Sequence, residues 1–398
     1  MNKRPRIAVL VESTRAYGRG LLAGIASYVR QQDPWTLYWQ ERSLRDPPPR
    51  WLRGWDGDGV IARIATPQLA RALRALRLPT VDLYGWLPNG KWPCVRTDNV
   101  HVARLAAKHL LERGFRHVAY CGFKGVNYSE ERLPPFRQCI TEAGQTCHVY
   151  RYPRFPTSAG LAAREQQGVL YRNDLAYWLR ELPKPAGILA CNDICGQQLL
   201  NACREIGLPV PDQVAVLGVD NDDVLCNLSD PPLSSVDLNC TRIGFEAASL
   251  LARLLRGRAA PRRTILLEPR GIVARRSTDV LAIEDAEVVA AIRLIRAQAC
   301  AGLTVAELLK SCSLSASSLN RRFTYFLGRT PKAEIIRVRL QRVVELLAEP
   351  DLSLAVIAAR SGFNYLEYMS AAFKKKFGMS PGQYRRRVLH ARGRQEPS

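Results

Sequence analysis

Two sets of side chains in this sequence have types and spacings suited to chemistry, and in both the chemistry is recognition. The first set lies late in the chain. Residues 303–331, LTVAELLKSCSLSASSLNRRFTYFLGRTP, and residues 352–381, LSLAVIAARSGFNYLEYMSAAFKKKFGMSP, share one pattern. Leu303 matches Leu352, Ala306 matches Ala355 and Leu308 matches Ile357. After a one-residue difference in the turn, Leu319 matches Met369, Phe323 matches Phe373, Gly328 matches Gly378 and Pro331 matches Pro381. An internal repeat of this kind is hard to produce by chance. Each copy reads as two short helices around a tight turn, because apolar positions recur at helical spacing on both sides of a break such as Ser361-Gly362. The exposed N-terminal half of the second helix in such a unit can enter a major groove. There the first copy presents Ala316, Ser317, Ser318, Asn320 and Arg321, and the second Tyr365, Leu366, Glu367, Ser370 and Ala371. Hydroxyl and amide groups match the donors and acceptors of base edges, and the Arg321 fork matches guanine. Arg322, Lys374, Lys375, Arg385 and Arg386 are placed to meet phosphates.

The second set lies in the first two thirds of the chain. Asp220 closes the apolar run 214–219, Asn192 and Asp193 follow the apolar run 187–190 at a strand-to-helix turn, Arg132 begins a helix, and Tyr17 follows the first strand. Carboxylate, amide and guanidinium groups at the ends of buried strands are set to grip a polar ligand. Each has a competing structural role: a helix N-cap for Asp193, a turn for Asp220, a surface ion pair for Arg132 and core packing for an aromatic ring. The elements that must position these groups alternate. Strands are expected at residues 6–11, 36–40, 59–64, 80–84, 117–121, 187–190 and 214–219. Helices are expected at 19–30, 68–76, 100–113, 131–143, 194–206 and 243–255. Such alternation builds mostly parallel sheets covered on both faces. Here it predicts two doubly wound lobes with a ligand cleft where the strand ends face one another.

A chain of 398 residues has room for two or three domains, and its formal net charge of +22 calls for an anionic partner, with nucleic acid favoured by the cations near the repeated helices. The eleven cysteines form no Cys-x-x-Cys pair and have no histidines at metal spacing, so reduced thiols in the cytoplasm are expected, with no metal site and no disulfide framework. The N-terminus has only five apolar residues before Glu12, too few for a signal peptide or a membrane span. There is no Gly-rich phosphate loop and no Gly-x-Ser-x-Gly elbow, which argues against an enzyme.

Residues Ile357-Ala358, Gly362-Phe363, Phe373-Lys374-Lys375, Gly378, Ser380-Pro381 and Tyr384-Arg385 make the C-terminal third resemble the DNA-binding domain of the AraC family. The sequence departs from that family at Met369, where Phe is usual, and carries Ala371 where the first copy has Arg321. Thr97-Asp98-Asn99 with His109-Leu110, the run 188–193 and the run 216–221 resemble the sensor domain of the LacI/GalR family over roughly residues 5–275. A sensor of that kind ahead of an AraC-like reader resembles the xylose-operon regulators, a likeness extended by Ala16-Tyr17, Arg132 with Phe136-Arg137, and the junction Arg275-Arg276-Ser277-Thr278-Asp279.

The resemblance implies an α/β two-lobed periplasmic-binding-protein-like domain over residues 1–278, a linker at 279–285, and an all-α domain over 286–398. The helix-turn-helix motifs of that last domain fall at about 304–327 and 353–377, with residues 331–347 as one amphipathic helix between them. It implies a cytoplasmic, sugar-responsive transcriptional regulator that binds double-stranded operator DNA as a homodimer, contacts RNA polymerase, and uses no cofactor. The expected effector is D-xylose and the expected mode activation; another pentose or hexose, or repression, is the alternative. Asp220, Asp193, Asn192 and Arg132 are then the sugar contacts, and Tyr17, Trp86 or Trp92 the aromatic rings that could stack on it.

Overall fold

A computed structural model describes residues 4–85, 87, 92–152, 172–259, 261, 264–279, 285–347, 349 and 352–386. Trp86 and residues 280–284 of the expected linker lie outside these. The chain divides into two compact units, the first comprising residues 1–111 and 115–282 and the second residues 283–398 with the short turn Glu112–Gly114.

The first unit contains two lobes built on parallel sheets. In the N-terminal lobe β1 (Arg6–Leu10), β2 (Thr36–Trp39), β3 (Gly59–Ala62) and β4 (Thr80–Asp82) are ordered β2-β1-β3-β4. An isolated bridge between Asp82 and Cys94 leads on to β5 (Val95–Thr97), which pairs in parallel with β11 (Ile265–Leu267). The apolar runs of β1 and β3 are buried on both faces, as a sheet covered by helices requires. Helix Ala16–Gln31 packs against helix Cys240–Leu255 with the backbones nearly touching: a Cβ built on Gly24 would stand 2.0 Å from the Thr241 carbonyl oxygen.

The C-terminal lobe carries β6 (His117–Phe123), β7 (Cys147–Tyr152), β8 (Ala186–Ala190), β9 (Val214–Val219), β10 (Ser234–Asp237) and β12 (Gly271–Val273). They are ordered β12-β10-β9-β8-β6-β7, with β12 antiparallel at the edge. The chain passes from one lobe to the other after Thr97, Asp237 and Leu267. Strand ends, and the loops that follow them, therefore collect where the lobes meet. The helix expected from Glu131 starts four residues earlier, spans Asn127–Glu142 and runs through Pro134-Pro135.

The second unit is all helical among its described residues. Asp285 caps helix Ala286–Gln298. Helices Val305–Lys310 and Ala316–Leu327 form the first repeat, Pro331–Leu346 connects, and Leu354–Arg360 and Leu366–Phe377 form the second. The two copies are held by the same devices. Thr304 and Ser353 cap the first helices, and Gly328 and Gly378 end the second ones with φ of 66° and 72°, where a side chain would be strained. Leu308 and Ile357, Leu319 and Met369, and Phe323 and Phe373 fill equivalent core positions.

Candidate ligand cleft and nucleic-acid interface

The strand ends of the first unit enclose a cavity of about 520 Å³, a size typical of small-molecule sites. Tyr17, Arg132, Asn192 and Asp220 all line it. Arg132 is buried on helix Asn127–Glu142; its Nε donates to Asn99 Oδ1 at 2.9 Å, one Nη donates to the Cys191 carbonyl, and its plane lies over the Tyr128 ring at 5.1 Å. A buried guanidinium fixed on three sides is a preorganised donor, not a surface ion pair. Asn192 is the N-cap of helix Asp193–Glu205, accepting from the Cys195 N–H at 2.9 Å while its amide donates to the Tyr128 hydroxyl at 3.1 Å.

Asp220 follows β9 with φ of 117°, and Asn221 follows with φ of 50°. Two successive non-glycine residues in left-handed backbone store about 1–3 kcal/mol each and persist only where neighbours hold them. Asp193 is one of those neighbours, which corrects its expected role as a ligand contact. It is not in the lining. Its carboxylate accepts from the Ser235 hydroxyl at 2.6 Å and from the Asp222 N–H at 2.8 Å, and so points into the protein behind the cleft. Burial first, and the charge of Asp220 second, push that carboxyl well above the usual carboxylate range.

The other wall of the cleft holds groups that the sequence reading missed. Glu12, just past β1, forms a buried ion pair with Arg63, just past β3, and the Arg63 guanidinium lies between the Tyr17 and Tyr84 rings at 4.7 and 5.1 Å. Burial works against the Arg63 charge, but Glu12 and the two phenols outweigh it and raise its pKa. Burial also pushes the Tyr17 phenol up to about 12, so it remains protonated, 3.2 Å from the Thr97 hydroxyl. Arg96 and Asn99 both donate to Glu131 Oε2, at 2.5 and 2.7 Å. Arg63 and Arg96 are thus each paired with a carboxylate, and Arg132 with neutral oxygens. Glu12 Oε2, Arg63 Nε and Asn127 Oδ1 are buried without a hydrogen-bond partner among the described residues, and Glu12, Arg63 and Asn127 all border the cavity. Buried polar atoms of that kind call for a partner, and vicinal hydroxyls would supply one. The available signal was positional: Glu12 and Arg63, like Asp220, interrupt apolar runs where strands end.

Trp92 does not join them. It packs in a separate cluster of the N-terminal lobe, with Arg74 5.2 Å from its ring centre, so its expected stacking role is corrected to core packing.

In the helical unit Ser317, Asn320 and Arg321 are exposed on helix Ala316–Leu327, with Ser318 half-buried and its N–H accepted by the Ser315 cap. Arg322 departs from expectation. It pairs with Asp285 at 2.7 Å and so ties helix Ala316–Leu327 to the start of helix Ala286–Gln298. In the second copy Tyr365 is 70% exposed, Glu367, Ala371, Lys374 and Lys375 are exposed and Ser370 is half-buried. Leu366 turns onto the core formed by Phe363, Met369 and Phe373, so packing, not base contact, is its observed role. Tyr325, one turn beyond Arg321, is an unanticipated aromatic at 66% exposure.

Among the described residues there is no cluster of three metal-ligating side chains, and no helix is long and apolar enough to cross a membrane. Comparison with known proteins matches residues 6–99 to the XylR N-terminal domain, 107–278 to the Periplasmic binding protein-like domain and 308–387 to the Helix-turn-helix domain. The chain is 33% identical over 393 residues to the Xylose operon regulatory protein of Escherichia coli (strain K12), covering 96% of this chain and 97% of that protein. It is 28% identical over 389 residues to the protein of the same name from Haemophilus influenzae, covering 96% and 98%. A solved structure of the xylose-binding transcription activator xylR is similar at a TM-score of 0.60 and 31% identity, over 97% of this chain and 98% of that one.

Proposed function

Since the chain belongs to the family of xylose operon regulatory proteins, and is a sugar-responsive DNA-binding transcription regulator of AraC type, we propose that its effector is D-xylose and that it acts as an activator. It is not an enzyme. The choice of D-xylose is carried by the likeness to the xylose operon regulators over nearly the whole chain, and the cleft supports it as a site for a small polyhydroxy ligand. Asp220, Asn192, Arg132 and Asn127 face the cleft from one lobe, and Glu12, Arg63 and Tyr17 from the other. A pentose offers hydroxyls enough to engage both walls together, so binding favours the form in which the lobes are closed on it.

In this reading residues 1–278 are the sensor, 279–285 the linker and 286–398 the DNA-binding domain. Ser317, Ser318, Asn320 and Arg321 read base edges with Tyr365, Glu367 and Ser370, while Lys374 and Lys375 meet phosphates. The protein works in the cytoplasm as a homodimer, and as an activator it contacts RNA polymerase. The deciding experiment is fluorescence anisotropy on DNA from upstream of the neighbouring genes, at fixed salt, with xylose and a panel of other sugars. Tightening with xylose alone supports the proposal. A response to a different sugar replaces the ligand, and DNA binding indifferent to every sugar removes the sensor role.

A further inference from the structure

Arg275, at the head of the segment that leads into the DNA-binding unit, reaches back to the loop after β9, at Asn221 and, at 3.3 Å, at Asp223. We infer that Arg275 is the positioning residue through which the state of Asp220 is passed to that segment. Two Nη groups of Arg275 donate to one acceptor, Asn221 Oδ1, each at 3.0 Å, and one of them also donates to the Leu233 carbonyl at 3.0 Å. Asn221 is the second of the two left-handed residues, directly after the cavity-lining Asp220. Its own N–H donates to the Ser235 hydroxyl at 3.0 Å, so backbone and side chain are both held.

The segment beginning at Arg275 is sewn to the start of β10 and the middle of β9. The Arg275 N–H donates to Ser234 Oγ at 2.7 Å, the Ser277 hydroxyl to the Val216 carbonyl at 2.6 Å, and the Thr278 hydroxyl to Ser234 Oγ at 2.7 Å. In sequence these residues run on to Asp279 and from there to the unit that starts at Ile283. A left-handed pair that is not glycine has a competing, relaxed backbone setting, so a ligand that binds Asp220 in one setting shifts the balance between the two. Asn221 Oδ1 moves with that choice, and the Arg275 fork moves with Asn221. Residues 275–278 follow.

This inference rests on the proposed role of the cleft as the xylose site. Its test uses the full chain in three forms, the parent, Asn221→Gly and Asn221→Asp, with Arg275→Ala as a fourth. Xylose affinity is measured by isothermal titration calorimetry without DNA, and operator affinity by anisotropy with and without saturating xylose. Glycine adopts φ of 50° freely but offers Arg275 nothing, whereas aspartate tolerates that conformation and keeps the acceptor. The parent and Asn221→Asp are expected to tighten on operator by about 5- to 150-fold with xylose. Asn221→Gly and Arg275→Ala are expected to bind xylose but to show no tightening. Equal tightening in all four forms overturns the inference and leaves the functional reading intact. Loss of xylose binding by Asn221→Gly also overturns it, since the contact would then merely build the pocket. A parent indifferent to every sugar overturns both.

Discussion

At the scale of residues, the cleft is a matter of which buried charges have partners. Glu12 is 1% exposed and its charge is balanced by Arg63. Arg63→Met removes the cation and leaves the carboxylate stranded, which typically costs about 3–5 kcal/mol. Calorimetry should show the sensor transition lowered accordingly, and xylose titration should show no heat. Asp220→Asn is milder. It keeps the shape and turns a charged hydrogen bond into a neutral one, a loss of about 1–1.5 kcal/mol, so xylose affinity should fall roughly 5- to 10-fold while the fold is kept. An unchanged affinity would remove Asp220 from the site. Residue type, position at element ends and the family resemblance singled out Tyr17, Arg132, Asn192 and Asp220, which the fold brings to one cavity. They were not enough to separate Asn192 from Asp193, because adjacent residues at a helix start point in different directions, and only the Ser235 and Asp222 partners show that Asp193 faces inward. Glu12 and Arg63 were missed because each is unremarkable alone, and they come together only when β1 and β3 pair.

At the scale of elements, the two helix-turn-helix units were legible because their signals are local: caps, αL glycines and apolar spacing all lie within one copy. Strands β7 and β12 were not foreseen. They are the two edges of the six-stranded sheet, and an edge strand, covered less fully than a central one, carries a weaker apolar run. The connecting helix Pro331–Leu346 carries its own test. Glu334, in its first turn, is 1% exposed and hydrogen-bonded by Arg337 at 2.7 Å and Arg329 at 2.5 Å. Burial alone would raise its pKa, but Arg337 and Arg329 outweigh burial and hold it at about 2, below the ordinary 4.5. A depressed folded-state value means that the stabilisation is complete above pH 4.5 and is lost as pH falls through about 2. That shift corresponds to about 3 kcal/mol at neutral pH. All seven tryptophans precede Ile283, so their fluorescence follows the sensor, while circular dichroism follows both units. Between pH 4.5 and 2 the dichroism transition of the helical unit should weaken more steeply in the parent than in Glu334→Gln. Identical acid profiles would rule out the pair as the cause.

At the scale of the whole molecule, a sugar site and a DNA site on one chain are bound by linkage. The DNA term can be dissected first. A side chain that neutralises one phosphate lowers the slope of log affinity against log salt by about 1 when removed, and weakens all sequences alike. Lys374→Gln and Lys375→Gln should each do this, whereas Arg321→Ala should leave the slope nearly unchanged and relax preference at one base pair, by about 1–3 kcal/mol. If xylose then tightens operator binding by some factor, free-energy conservation around the cycle requires operator DNA to tighten xylose binding by that same factor. Titrating xylose into the free protein and into the operator complex measures it directly. Lys374→Gln should weaken both DNA states equally and leave the factor intact, because a phosphate contact made in both states has no differential affinity to contribute. A factor that changes with Lys374 would mean that the reading helix is itself part of the switch, and a factor that differs between the two directions of measurement would mean that the two ligands do not share one equilibrium.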